Sequence, residues 1–215
     1  MKNKTLSLTA IAVAFPWCLG AGELAGRVVF PDGSGPAVVF IDGLEGGILP
    51  REDAVITHIK GGRFEPPIVV GFVGNNFVFK NEDDTLHTTH LYLHLAYQER
   101  VSGRPLKNGA TLYNIALPLA GMEVRRPIKS YFELTTETGF IDVKCNRHPE
   151  ETATAFVFNH PYAAVTMADG SFRIPNLPSG SHDVWVWHAG ELSKWKTVDV
   201  KDKGATEITV AVSRQ

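Results

Sequence analysis

A cysteine and two histidines in this sequence are soft donors of the kind that bind transition metals. Cys145 and His148 stand three positions apart, directly after a predicted strand at 140–144, and His87 follows an earlier predicted strand at 76–80. One thiolate with two imidazoles is the equatorial ligand set of a mononuclear copper site, which a weak axial ligand completes. This donor set suits copper or zinc, and it does not suit calcium or magnesium, which take oxygen ligands.

Two more histidines, His90 and His94, follow His87 at spacings of three and seven. A helix would place all three on one face, but the run 89–94 is more typical of a strand, which places His90, Tyr92 and His94 on one face. Two interpretations follow. His90 and His94 make polar contacts around the first site, or they form a second, histidine-rich copper or zinc site.

The amino terminus has the pattern of an export signal. Two lysines precede an apolar run over 6–19, and small residues follow it. The run is short of the roughly 20 apolar residues that a membrane-spanning helix needs. We therefore expect a signal peptide over 1–22, cleaved after Ala21 or Gly22, with no integral membrane segment afterwards; a retained membrane anchor is the alternative. We expect the protein in the periplasm, or fully secreted.

Cleavage would remove Cys18 and leave Cys145 as the single cysteine of the exported chain. Thiols in an oxidising compartment are normally paired. An odd cysteine there indicates an intermolecular disulfide, a reactive thiol or a metal ligand. The last possibility agrees with the position of Cys145 beside His148.

The composition favours an all-β protein. The chain has 215 residues, of which 44% are hydrophobic, and its 20 glycines and 13 prolines suit many turns better than long helices. A net charge of −2 gives no basic surface for nucleic acid.

Residues 98–126 show no clean period and are predicted to be a long loop with at most a short helix. Short alternating runs predict strands at 23–30, 37–41, 54–60, 68–70, 76–80, 89–94, 129–134, 140–144, 153–158, 163–167, 171–174, 181–188, 196–200 and 207–212.

Both ends of the chain resemble one kind of domain. The pattern T-x-x-D-G-x-F-x-I at 166–174, with the G-x-V at 26–28 and the A-x-V at 37–39, resembles the carboxypeptidase regulatory-like, or transthyretin-like, β-sandwich. The opening and closing parts of that pattern are far apart here. The resemblance therefore implies a sandwich split around a second domain, whereas two domains in series are the alternative.

The middle of the chain resembles a cupredoxin, a Greek-key sandwich that binds copper. FEPPIVV and FVFKNED within 64–87 resemble its opening, and FIDVKCNRHP at 140–149 resembles its second half. With H-P-Y at 160–162 and W-H at 187–188, the chain is most similar to exported bacterial plastocyanin-like proteins that join a cupredoxin to a regulatory-like sandwich. The resemblance implies a regulatory-like sandwich over 23–57 with 159–215, and a copper domain over 58–158.

The resemblance also implies copper ligation by His87, Cys145 and His148, but the axial ligand departs from it. The family usually carries methionine three residues after the second histidine, and this sequence has Glu151 there. Three interpretations of this residue follow. Glu151 binds the metal and gives a harder site of lower potential; it points to solvent; or the site has lost its redox function. A retained copper site is favoured because the other three ligands are present.

The expected function is single-electron transfer through one copper ion, with a protein redox partner that the sequence does not identify. A copper carrier or scavenger without redox cycling is the first alternative, and a structural secreted sandwich with a decayed site is the second. The sequence lacks the G-x-S-x-G, phosphate-loop and H-E-x-x-H motifs. We therefore expect no enzymatic activity.

Overall fold

The computed structural model describes residues 21–30, 35–93, 110–130 and 140–212. Within these ranges the chain forms strands joined by turns, so the predicted all-β fold class is confirmed. No helix in these ranges has the length and hydropathy needed to cross a membrane. The predicted signal peptide lies outside them up to residue 20, and His94 also lies outside them.

Most strands of the described ranges lie at or near the predicted positions. They are β1 (Ala21–Val29), β2 (Ala37–Ile41), β3 (Ala54–Ile59), β4 (Arg63–Glu65), β5 (Ile68–Phe72), β6 (Asn76–Asn81), β7 (His87–Leu93), β8 (Thr111–Leu117), β9 (Glu123–Pro127), β10 (Ile141–Lys144), β11 (Thr152–Phe158), β12 (Ala163–Val165), β13 (Ser171–Pro178), β14 (Gly180–His188), β15 (Glu191–Val200) and β16 (Ala205–Ala211).

The prediction of a long loop over 98–126 is wrong for its described part, which contains β8 and most of β9. Both strands lie at the edge of a sheet, and most of their side chains are exposed or half-buried. An edge strand with few buried side chains lacks the alternation that identifies a strand in sequence. Conversely, Lys129 and Ser130 are not in a strand, although 129–134 was predicted as one; residues 131–134 lie outside the described ranges.

Strands β3 to β11 form two facing sheets, here called the middle sandwich. Their strand orders are β4-β3-β6-β9 and β5-β11-β10-β7-β8. Burial of alternate apolar side chains from both sheets holds them together. The core between them includes Ile56, Phe64, Phe77, Phe79, Leu91, Leu117, Val143 and Val157.

The remaining strands form a second pair of sheets, here called the terminal sandwich because both ends of the chain contribute. Their orders are β13-β1-β16 and β12-β2-β14-β15. β1 pairs antiparallel with β13 and parallel with β16, so early and late segments share one sheet. The core between these sheets includes Leu24, Val39, Ile41, Phe172, Ile174, Val184, Val186 and Val210.

The two sandwiches pack against each other through a third apolar cluster. β2 and β11 are the strands that make this possible, because each is buried on both faces. In β11, Val157 points into the middle core while Phe156 points toward the terminal sandwich. Phe156 lies 5.3 Å from the Trp187 ring, measured between centroids, and 6.2 Å from that of Phe140. The described part of the molecule thus consists of four stacked sheets, with an apolar layer between each sheet and the next.

The division into domains stays a prediction, and one of its boundaries falls within a strand. β3 begins at Ala54, ahead of the predicted start of the copper domain at residue 58. All of its partners belong to the middle sandwich, since it pairs with β4 and β6. The strand pairing therefore favours a boundary before Ala54.

Candidate metal centre

Strand pairing brings Cys145 to the start of β7. β10 and β7 are antiparallel, and Lys144 at the end of β10 pairs with His90. Cys145, the next residue, contacts Thr88 near the start of β7, and the backbone N–H of Thr88 donates to Sγ at 3.5 Å. In return, the backbone N–H of Asn146 donates to the Thr88 hydroxyl at 2.8 Å. These two contacts hold the thiol next to His87, the first residue of β7.

The turn between β10 and β11 brings His148 and Glu151 to the same place. Lys144 pairs with Thr152, so the turn returns directly onto the next strand. Two backbone hydrogen bonds close it: the N–H of Cys145 donates to the carbonyl of Glu151 at 3.3 Å, and the N–H of Glu151 donates to that of His148 at 3.0 Å. A short turn closed in this way presents three donor side chains from a few residues.

The donor atoms of the predicted ligands converge. Sγ of Cys145 lies 3.9 Å from Nδ1 of His87 and 3.6 Å from Nδ1 of His148, and the two nitrogens are 3.2 Å apart. Glu151 approaches with Oε2 3.1 Å from Nδ1 of His87 and Oε1 3.6 Å from Nδ1 of His148. Tetrahedral coordination with bonds of about 2.0–2.3 Å separates ligand atoms by about 3.3–3.7 Å. The separations of 3.1 to 3.9 Å bracket this range, so the four side chains are close enough to bind one metal ion.

Burial and hydrogen bonding single out one oxygen of Glu151. Glu151 is 0% exposed and His87 1%, whereas the His148 side chain is 33% exposed. Among the described residues, Oε1 of Glu151 has no hydrogen-bond partner. A buried carboxylate oxygen without a partner is costly, and a bound cation would satisfy it. The donors fit a transition-metal ion, with His148 on the solvent side.

The outer nitrogen of His87 is also held. Its Nε2 lies 3.0 Å from the Thr85 hydroxyl and 3.2 Å from Oδ2 of Asp83. Asn81 fixes this turn, because its side-chain amide donates to the carbonyl of Thr85 at 2.8 Å and its Oδ1 accepts from the N–H of Asp83 at 2.8 Å. Hydrogen bonds to the outer nitrogen orient a ligating imidazole. Nδ1 of His87 is thereby directed toward the cluster.

His58 belongs to the cluster although the sequence analysis missed it. Its side chain is fully buried on β3, with Nδ1 2.9 Å from Oε2 of Glu151 and Nε2 2.9 Å from the Thr89 hydroxyl. Ligand atoms of His58, His87, Cys145 and Glu151 all lie within 4.8 Å of one another. Burial lowers the pKa of His58 from 6.5 to about 4, although the hydrogen bond to Glu151 acts in the opposite direction.

The signal that could have identified His58 is strand alternation. Ile56 and His58 occupy alternate positions of β3 and are both 0% exposed. A histidine at a position where alternation requires an apolar residue indicates a buried polar contact.

His90 lies near the cluster but contacts other groups. Its Nδ1 is 3.1 Å from Oδ1 of Asn146 and close to the Tyr92 hydroxyl, and its Nε2 is 2.9 Å from the Thr111 hydroxyl. Both ring nitrogens thus contact neutral polar groups of the sheet. Of the two interpretations of His90, these contacts favour the polar one.

Comparison with known proteins gives similarity at the level of structure only. No protein-family model and no curated protein matches the sequence. A reduced Cu(I) form of a mutant amicyanin is 16% identical over 51% of this chain and 85% of that chain, with a TM-score of 0.34. A purple cupredoxin from Nitrosopumilus maritimus is 18% identical over 49% of this chain and 97% of that chain, with a TM-score of 0.32. What this chain does must therefore be inferred from its own site.

Proposed function

We propose that this protein binds one copper ion through His87, Cys145, His148 and Glu151 and transfers single electrons. The observation that carries the proposal is the convergence of a thiol, two imidazole nitrogens and the unpartnered Oε1 of Glu151 at donor–donor distances of 3.2 to 3.9 Å. Copper bound there would supply a one-electron couple. Electron transfer requires a rigid site, and here the ligands lie on β7 and in the β10–β11 turn of one sheet that packs against a second.

Each side chain has a separate task in this proposal. Cys145 binds as the thiolate, and the N–H of Thr88 stabilises charge on its sulfur. His87 is fixed by its outer hydrogen bonds, whereas His148 has the exposed edge through which an electron could pass to a partner. Glu151 supplies a hard oxygen, which favours Cu(II) over Cu(I) and lowers the potential relative to a thioether ligand.

A copper carrier without redox cycling is the second candidate. The buried Glu151 favours it, since a carboxylate that stabilises Cu(II) makes reduction less favourable. The two candidates share the ligands and differ in whether bound copper is reversibly reduced. In both we propose export to the periplasm on the signal at 1–22, no enzymatic activity, and a transthyretin-like assignment for the terminal sandwich.

The test is a visible absorption spectrum of the purified protein titrated with Cu(II), with Zn(II) as the colourless control. We expect an intense thiolate-to-copper band that saturates at one equivalent, is bleached by reductant and returns on reoxidation. A band that does not respond to reductant would favour the carrier. A weak ligand-field spectrum alone would exclude Cys145 as a ligand, and the absence of stoichiometric binding would favour a structural protein.

The Glu151→Met variant tests the fourth ligand in the same experiment. A thioether is a softer donor than a carboxylate and favours Cu(I). We expect the thiolate band to shift and the reduction potential to rise relative to the wild type. An unchanged band and potential would mean that Glu151 does not bind the metal.

A further inference from the structure

The two oxygens of Glu151 have different surroundings. Oε2 lies 2.9 Å from Nδ1 of His58 and 3.1 Å from Nδ1 of His87. Oε1 has no hydrogen-bond partner among the described residues, and it lies 3.6 Å from Nδ1 of His148. The two histidines thus hold Oε2, whereas Oε1 remains available to a metal ion.

We infer that His58 is a positioning residue: it holds Oε2 of Glu151 by a hydrogen bond, so that Oε1 is presented to the metal and Glu151 binds through one oxygen. This inference rests on the copper site proposed above, and it adds a residue that the resemblance to cupredoxins does not supply. His58 acts through Glu151 and is not itself a ligand.

The contacts of His58 are consistent with one protonation pattern. A carboxylate oxygen only accepts, so Nδ1 of His58 carries the hydrogen and donates to Oε2 of Glu151. Nε2 is then the acceptor and receives the hydroxyl hydrogen of Thr89. The resulting chain from Thr89 through His58 to Glu151 uses both ring nitrogens of His58, which leaves neither free to bind a metal.

The ring of His58 is also held by packing. Its centroid lies 4.4 Å from that of Phe64 on the neighbouring strand β4, in the apolar core of the middle sandwich. β3 carries His58 on one sheet, whereas Thr89 belongs to β7 of the facing sheet. The hydrogen-bonded chain therefore crosses the sandwich and fixes Glu151 relative to both sheets.

Pulsed electron paramagnetic resonance of the wild-type Cu(II) protein gives the first test, since it counts coordinated imidazoles through their remote nitrogens. We expect two imidazoles, from His87 and His148. Three would overturn the inference by making His58 a ligand. A wild-type protein without a thiolate-copper band would overturn the proposed function and this inference together.

Two variants of His58 give the second test. His58→Asn keeps an N–H donor near the position of Nδ1, whereas His58→Leu removes it. Loss of an outer hydrogen-bond partner typically costs about 10–100-fold in metal affinity. We expect that loss, with a shifted reduction potential, for His58→Leu, and rescue to within a few-fold by His58→Asn, both with two imidazoles retained. A wild-type thiolate band together with unchanged affinity and potential in His58→Leu would overturn the inference alone.

The matched control is another buried histidine. His160 is 6% exposed and accepts a hydrogen bond at Nδ1 from the backbone of Tyr162 at 3.1 Å, outside the metal cluster. His160→Asn should leave the copper spectrum and affinity unchanged. If His58→Leu does not fold, Thr89→Val removes the hydroxyl that holds Nε2 and should weaken copper binding, while Thr89→Ser should not. Equal affinities of these two Thr89 variants would overturn the inference.

Discussion

The middle and terminal sandwiches are built alike but differ in what fills the ends of their cores. Each has two facing sheets and an apolar core. In the terminal sandwich, His182 and His188 bond to the carbonyls of Pro178 and Pro36, so their polar atoms meet backbone groups. In the middle sandwich, the buried side chains of His87, Cys145 and Glu151 at the strand ends contact one another. The difference shows that similar sheets provide the frame of both sandwiches, whereas the residues at strand ends and in turns determine whether a site exists.

The largest effect is expected where the two sandwiches meet. Phe156→Ala removes a ring that is 0% exposed in the apolar cluster between them, which should lower the free energy of unfolding by about 3–5 kcal/mol. Denaturant unfolding measures this change. Val165→Ala, at a residue that is 37% exposed, is the control and should have a much smaller effect. The copper spectrum of folded Phe156→Ala should be unchanged, because Phe156 and the middle core lie on opposite faces of β11; an altered band would contradict that separation.

The second prediction contrasts one donor from each sandwich. Cys145→Ser should abolish the thiolate-to-copper band and lower copper affinity by more than the roughly 10–100-fold that an outer hydrogen-bond partner contributes. His182→Ala in the terminal sandwich should change neither, because His182 bonds to a backbone carbonyl there. Competition titration against a copper chelator measures both affinities. Equal losses in the two variants would mean that binding is not confined to the middle sandwich.

The smallest effect concerns pH and a buried histidine that has no carboxylate partner among the described residues. Burial lowers the pKa of His160 from 6.5 to about 4. The unfolded chain therefore takes up this proton as pH falls through 6.5, while the folded chain does so only near 4. Proton uptake by the unfolded chain favours unfolding, so His160 lowers the free energy of unfolding as pH falls below 6.5. The loss is about 1 kcal/mol by pH 5.5. The unfolding free energy of His160→Asn should show a shallower pH dependence than wild type over this range; parallel curves would contradict the prediction.

Most of the fold could be predicted because its central strands bury one or both faces. β2, for example, is an apolar run with all five residues buried, and its bounds were predicted correctly. The strands that escaped prediction, β4, β8 and β9, all lie at sheet edges. β9 has no buried residue, so no hydrophobic period marks it. Strand prediction from sequence detects repeated burial, and it fails for short or edge strands that bury few side chains.

The candidate site could be predicted in part for a related reason. Cys145, His148 and Glu151 are close in sequence, so one short turn brings them together. His87 is distant in sequence and was proposed from its residue type and its position after a predicted strand, and the structure places it with the other three. His58 could not be linked to Glu151 because their contact joins residues on different sheets. Such a pairing depends on how two sheets face each other, and no local pattern encodes it.

The strand order of the terminal sandwich also sets the order in which the molecule can fold. β1 pairs only with β13 and β16 in the described structure, and β2 only with β12 and β14. During synthesis these first two strands therefore precede all of their partners, and closing such a long loop slows folding. Strands β3 to β11 pair only among themselves in the described sheets. The metal ligands can therefore come together while β1 and β2 are still unpaired. A holding chaperone that binds these two strands at that stage would protect them from aggregation.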